Sequence, residues 1–233
     1  MDLAPLPAVP EAHDALTAWL AARRAFLRDL SPADAWTTSI APLTHDAPRP
    51  EGPLGRHGDP RFRAFALATF LADLACYPEP VDQVDLARLL YVMDVFPRGF
   101  RLWGAETPAL GWVPVGYSGW YPIAPVTFEL LEQRAASLRD RMVAPLPAVE
   151  PGGSFLYVFN FSVVPALRGT PTAGRLVRGL AEDLSATPHR GLAAITVSPE
   201  GARVVERFGM RRTGTLIVDG CEEAVLTCRT VAG

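Results

Sequence analysis

The stretch FSVVPALRGTPTAGRLV, residues 161–177, combines residue types that can bind a phosphate group. An apolar segment ends at Pro165, an Arg168–Gly169 pair follows, and helical spacing of apolar residues begins at Thr172. The first turn of a helix presents backbone N–H groups that lack intrahelical partners, at the positive end of the helix dipole. The junction therefore predicts either an oligophosphate-binding turn, assisted by the Arg168 guanidinium, or a plain connection between a strand and a helix.

Strands and helices alternate around this junction. Residues 154–164, SFLYVFNFSVV, are almost entirely apolar on both faces, which is typical of a central strand. The spacing after the junction predicts a helix (172–186), a strand (191–197), a short helix (199–208) and a hairpin (210–231) that turns at Asp219–Gly220. This order predicts a mixed α/β layer.

The first hundred residues are predicted to be mainly helical. Apolar positions at helical spacing predict helices at 11–30, 61–76 and 82–95, with a further helix at 126–141. The Pro/Gly-rich span between the first two helices is either a surface loop or a linker. Two antiparallel strands are expected in 100–106 and 111–125, because both segments are rich in aromatic and β-branched residues. A chain of 233 residues can hold one domain or two.

Two motifs at a matching distance resemble the GNAT superfamily of N-acetyltransferases. The first is a strand ending in V-x-P that leads into R-G-x-G-x-G/A and a helix, matched here by Val163, Val164, Pro165, Arg168, Gly169 and Ala173. The second resembles N-x-x-A-x-x-L-Y-E-x-x-G-F, matched by Val204, Glu206, Arg207, Gly209 and Met210.

The resemblance covers about residues 100–231 and implies a GNAT-like mixed central sheet flanked by helices, with a mainly helical N-terminal extension. We divide the chain accordingly into a helical N-terminal region, 1–97, and an acyl-CoA-binding domain, 98–233. The family has two helices between its first and second strands, and helices 61–76 and 82–95 fit that place. Residues 11–50 and helix 126–141 are expected to be additions.

The resemblance also implies an acyl-CoA site. In the family, backbone groups of the splayed central strand pair with the pantetheine amides, which carries over to Phe161 and Val163. The pyrophosphate is expected against backbone N–H groups beside Arg168, namely those of Gly169, Thr170, Thr172, Ala173 and Gly174. The implied co-substrate is acetyl-CoA.

Three departures from the family motifs bear on activity. Pro171 replaces the middle glycine of the first motif and removes one N–H donor. Val205 stands where many members have a Tyr that protonates the departing thiolate, and Ser198 stands where the motif has Asn. Candidate catalytic residues are therefore Asn160, Ser198 and Tyr117, and the structural alternative for Asn160 is a hydrogen-bonded polar group on a buried strand.

Composition argues against nucleic acid as a partner and against lysine or metal chemistry. The net charge of −3 gives no basic excess for nucleic acid, and all 22 basic residues are Arg, which excludes Schiff-base chemistry on a lysine. Because lysine codons are AT-rich, the absence of lysine indicates a GC-rich, bacterial genome. We expect no metal site, because His13, His45, His57 and His189 lack metal-ligand spacing and are predicted to be solvated.

Neither a signal peptide nor an apolar run of membrane-spanning length is visible, so we expect a cytoplasmic protein with reduced cysteines and no membrane partner.

Two functions remain open at this point. One is an acyl-CoA-dependent N-acyltransferase that acts on a small-molecule or peptide amine, as a possible homodimer. The other is a catalytically silent GNAT-like protein that binds CoA or a protein partner.

Overall fold

The computed structural model describes residues 13–30, 41–45, 55–77, 82–133, 140–218 and 220–230. They form six α-helices and seven strands, and the strands belong to one mixed sheet of order β1-β2-β3-β4-β5-β7-β6. The chain divides into two compact units, residues 1–118 with 162–176 and residues 119–161 with 177–233. None of the helices in these described ranges is long and apolar enough to cross a membrane.

The first unit contains three helices, α1 (His13–Asp29), α2 (Pro60–Cys76) and α3 (Leu86–Val95). Helix α2 begins where Asp59 accepts a hydrogen bond from the Arg61 N–H at 2.9 Å and Pro60 occupies the first helical position. Ten of its 17 residues are buried, which makes it the core helix of this unit. Helix α3 starts four residues later than the spacing predicts, because Asp85 caps it through the Arg88 N–H at 2.9 Å.

Strand β1 (Ala41–Thr44) lies in the Pro/Gly-rich span that was predicted to be a loop or a linker, and it makes residues 41–44 part of the sheet. It pairs antiparallel with β2 (Phe100–Thr107), from Ala41 opposite Gly104 to Thr44 opposite Arg101. A strand of four residues that contains a proline gives too little alternation to be recognised in a Pro/Gly-rich span. It is also an edge strand, which is where a proline within a sheet is tolerated.

The second unit holds the strands and helices that follow the first sequence motif. Its main elements are α4 (Pro125–Glu132), β4 (Ser154–Val163), α5 (Pro171–Ala186), β5 (His189–Thr196), α6 (Pro199–Glu206), β6 (Arg211–Val218) and β7 (Cys221–Arg229). Strand β4 and the first turn of α5 extend into the first unit, as does strand β3 (Gly111–Ile123). The predicted final hairpin is confirmed, since Val218 pairs with Cys221 across a two-residue turn in which Gly220 has φ of 86°.

Helix α4 is shorter than the predicted helix 126–141. It ends at Glu132, residues 140–142 form a single 3-10 turn, and residues 134–139 lie outside the described part of the chain. A bidentate ion pair between Glu132 and Arg229 links the helix to β7. The Nε and Nη2 atoms of Arg229 lie 2.6–3.2 Å from the Glu132 carboxylate oxygens. Phe128 of α4 stacks on Phe155 of β4 with ring centroids 4.0 Å apart.

Gly116 of β3 is required by the close approach of two strands in the first unit. A Cβ at this position would lie 2.5 Å from the Ser162 carbonyl oxygen, 2.8 Å from Leu176 Cδ2 and 3.2 Å from Val163 Cα. Because two of these atoms belong to the backbone of β4, they cannot move aside as a flexible side chain can.

We predict that Gly116→Ala lowers the free energy of unfolding by about 1–3 kcal/mol through overpacking. The matched control is Gly174→Ala, since Gly174 is helical and a Cβ there meets nothing within 4 Å. That variant should be more stable than the wild type by about 0.5–1 kcal/mol. Urea midpoints measure both effects, and equal midpoints for the two variants would contradict the close approach.

Candidate functional site

Strand β4 loses its hydrogen-bonded neighbour halfway along its length. In the second unit its parallel ladder with β5 runs from Ser154 and ends at the pair of Val158 with Ala194. Both strands continue past that pair, β4 to Val163 and β5 to Thr196. The strand edge beyond Val158 therefore carries backbone groups that this partner does not satisfy, and it includes the predicted ligand Phe161.

The turn between β4 and α5 has a defined local structure in the first unit. A 3-10 turn, Pro165–Leu167, follows the strand, and Gly169 then adopts φ of 72°, a left-handed conformation that favours glycine. Thr170 caps α5, because its Oγ1 accepts a long hydrogen bond from the Ala173 N–H at 3.5 Å, and its hydroxyl donates to the Leu167 carbonyl at 2.7 Å. A Cβ on Gly169 or on Gly174 would meet nothing within 4 Å, so this face of the turn is open.

Not all of the predicted N–H donors of this turn point outward. The N–H groups of Thr170 and Gly174 donate within the turn, to the carbonyls of Leu167 and Thr170 at 3.3 Å each. Among the residues that the structure describes, the backbone N–H groups of Gly169 and Thr172 have no protein acceptor. These two donors, with the weakly engaged Ala173, form the part of the turn that can bind an anion.

Arg168 is directed at the protein backbone. Its Nη2 donates to the carbonyl of Cys76, at the end of α2, at 2.6 Å, and its Nε donates to the carbonyl of Val163 at 3.3 Å. The N–H of Val164, the next residue along the chain, donates to the carbonyl of Val115 in β3 at 2.9 Å. Val163 consequently directs its backbone groups away from β3, and its carbonyl is the one that accepts from Arg168 Nε.

Tyr117 is a buried hydrogen-bond donor, which makes it a poor acid. Its hydroxyl donates to the Asp73 carboxylate at 2.8 Å, and both side chains have no exposed surface. Burial, followed by the neighbouring Asp73 charge, raises the pKa of Tyr117 well above its usual 10.0. Loss of this proton to a departing thiolate would also leave two adjacent buried anions, so the arrangement favours a structural role.

The thiol of Cys76 is also ill suited to chemistry. Burial raises its pKa from 9.0 to about 12, although the nearby Ser162 hydroxyl and the Arg168 charge act in the opposite direction. Since the thiolate is the nucleophilic form, Cys76 is inert as an acyl acceptor near neutral pH.

The other two candidate catalytic residues lie in the second unit. Ser198 caps α6, because its Oγ accepts the Gly201 N–H at 3.1 Å, and this leaves its own O–H proton available as a donor. Asn160 is half-buried on β4, beyond the end of the β5 ladder. Val205 is buried within α6 and offers no polar group.

Sequence reasoning missed the polar cluster at the end of α2. Asp73 accepts hydrogen bonds from Tyr117 and from the Val84 N–H at 2.7 Å, and Cys76 supplies the carbonyl for Arg168. The available signal was an acidic residue within the apolar run AFALATFLADLAC, which is unusual for a buried helix. His45 was also misjudged, since it is 4% exposed, with Nε2 3.5 Å from Asp59.

The raised pKa of Cys76 makes stability depend on alkaline pH. The folded state holds this proton more tightly than the unfolded state, so the contribution is complete below pH 9.0 and is lost as pH rises towards about 12. Over that window we predict that the free energy of unfolding of the wild type falls relative to Cys76→Ser by about 1.4 kcal/mol per pH unit. Urea titrations across the window measure this difference, and parallel pH profiles would contradict it.

The chain has no match among protein-family models or among curated proteins. Solved structures do match it. The loading GNATL domain of CurA from Lyngbya majuscula has a TM-score of 0.54 at 12% identity, over 82% of this chain and 98% of that one. A chain of the NatC complex bound to Gag peptide and CoA has a TM-score of 0.52 at 12% identity, over 83% and 99%.

Ard1 from Thermoplasma volcanium has a TM-score of 0.50 at 10% identity, over 83% of this chain and 99% of that one. At these identities the likeness concerns the fold, and it agrees with the fold that the two sequence motifs implied. This chain has the GNAT fold in a divergent form.

Proposed function

We propose that this chain is an acyl-CoA-dependent N-acyltransferase that transfers acetyl from acetyl-CoA to an amine by direct attack. One observation carries the proposal. The ladder between β4 and β5 ends at Val158 and Ala194, and β4 continues into a turn whose open face includes the N–H groups of Gly169 and Thr172.

The residues present fit a CoA molecule. An extended amide-bearing chain can pair with the edge of β4 that β5 leaves, at Phe161 and at the N–H of Val163, as a peptide pairs with a sheet edge. The phosphates would lie at the backbone donors of Gly169, Thr172 and Ala173. When bound, acetyl-CoA would supply the activated acetyl thioester.

Direct transfer follows from the nucleophiles that the chain offers. It has no lysine, and the one thiol beside the turn, that of Cys76, is held in its protonated form. The role of this chain is then to orient the amine and to provide for proton transfer. Asn160 and Ser198 are the polar side chains that we propose for these tasks, because Tyr117 is committed to Asp73.

The acceptor that we propose is a small-molecule or peptide amine. The NatC structure holds a Gag peptide together with CoA, and this supports a peptide as one class of acceptor. A protein without transferase activity that keeps the CoA site is the second candidate. Two observations favour this second candidate. Val205 is buried and apolar where many family members have a proton-donating Tyr, and the Tyr117 hydroxyl is already bonded to Asp73.

Gly174 gives a sharp test of the phosphate site. Its helical backbone accepts a side chain, and the space around it is open. We predict that Gly174→Glu raises the Kd for acetyl-CoA by at least about tenfold more than Gly174→Gln does, because only the former places a carboxylate beside the phosphates. Isothermal calorimetry measures both values, and identical Kd values for the two variants would contradict the site.

An acceptor screen then separates the two candidate functions. Purified protein with acetyl-CoA is incubated with amino acids, peptides, polyamines and aminoglycosides, and release of free CoA thiol is recorded. Acceptor-dependent release that Gly174→Glu suppresses supports the transferase. Acetyl-CoA binding without release for any acceptor class favours the silent binding protein.

A further inference from the structure

The end of α2 carries an unusual concentration of negative charge in the first unit. Its last turn contains no basic residue, and the carbonyl groups at a helix C-terminus form the negative end of the helix dipole. Asp73, one turn before the end, adds a carboxylate with no exposed surface. A buried negative charge at this end of a helix is destabilising unless a cation or several donors accompany it.

Arg168 is one of three arginines that bring positive charge to this end of α2. Arg24 Nε donates to the Leu74 carbonyl at 3.2 Å and Arg28 Nη2 to the Tyr77 carbonyl at 3.4 Å, whereas Arg168 comes from a part of the chain 92 residues away. Its Nη2 approaches the Cys76 carbonyl to 2.6 Å, the shorter of its two contacts with the backbone. Its charge also opposes the effect of Asp73 on the ionisation of both Cys76 and Tyr77. The Arg168 guanidinium therefore acts together with Arg24 and Arg28 as a C-terminal charge partner of α2.

The geometry of the guanidinium fixes the position of the turn as well as its charge. Nε and Nη2 lie along one edge of the planar group, and they donate to two carbonyls from different elements, Val163 at the end of β4 and Cys76 at the end of α2. The residue that follows Arg168 is Gly169, the first open donor of the turn. Any shift of Arg168 consequently moves the N–H groups that we assign to phosphate binding.

We infer that Arg168 is a positioning residue of the phosphate-binding turn: it clamps the turn to the end of α2, and the phosphates are bound by backbone N–H groups instead of by its side chain. This inference rests on the proposed function for its ligand, but the clamp itself is a property of the protein without ligand. It assigns Arg168 a different role from the phosphate contact that the family resemblance implied.

The test compares Arg168→Lys, Arg168→Gln and the control Arg175→Gln. Arg175 is an exposed arginine on the first turns of the same helix, and its side chain donates only to the Thr172 hydroxyl, at 3.3 Å. Two quantities are measured for each protein. One is hydrogen exchange of the Thr170 and Gly174 amides without ligand, and the other is the Kd for CoA over a series of salt concentrations.

A clamp predicts that Lys does not replace Arg, because a single ammonium on a flexible stem cannot hold two carbonyls in a fixed arrangement. Both Arg168 variants should then speed exchange at Thr170 and Gly174 and weaken CoA binding by about tenfold. The salt dependence of the Kd should stay as in the wild type, since no phosphate contact is lost. Arg175→Gln should leave the exchange rates unchanged.

A direct phosphate contact predicts a different pattern and would overturn the inference. Arg168→Lys would keep most of the CoA affinity, Arg168→Gln would lose it together with part of the salt dependence, and exchange without ligand would not change. If the wild type binds no CoA, the proposed function fails, and the exchange rates alone still decide whether Arg168 clamps the turn.

Discussion

The backbone of β4 beyond Val158 is the constraint on which the candidate site depends. Up to that residue the strand is paired with β5, and afterwards one edge lacks this partner although the strand continues to Val163. Backbone N–H and C=O groups inside a protein need hydrogen-bond partners, and leaving one unpaired is costly. A ligand that carries its own amide groups can meet that need by extending along the edge.

This constraint explains how the fold persists where side chains have changed. The three structural matches described above are 10–12% identical to this chain, and Pro171 and Val205 replace the glycine and the tyrosine of the two sequence motifs. Binding through backbone donors depends on φ angles and on strand pairing, which many sequences can provide. Proton transfer depends on particular side chains, and Val205 stands at the tyrosine position of the second motif.

The predictable features were local ones. The helix at residues 61–76 was predictable because apolar positions follow a capping Asp59 and a proline in the first turn. The turn at Gly220 follows from the short distance between two alternating segments. The features that sequence reasoning missed depend on partners far along the chain. Asp73 meets Tyr117 across 44 residues and Arg168 meets Cys76 across 92, so neither contact leaves a pattern in a short window of sequence. Strand β1 was missed because its four residues form a strand only by pairing with β2.

Backbone amide NMR during a titration with CoA tests the central claim most directly. The account predicts that the amide resonances of Gly169, Thr172 and Val163 shift together and saturate with a single Kd, because these groups lie at the open turn and at the free edge of β4. Saturating shifts confined to residues outside β4 and this turn, or no shifts at millimolar CoA, would show that the GNAT fold in this chain does not bind the cofactor there.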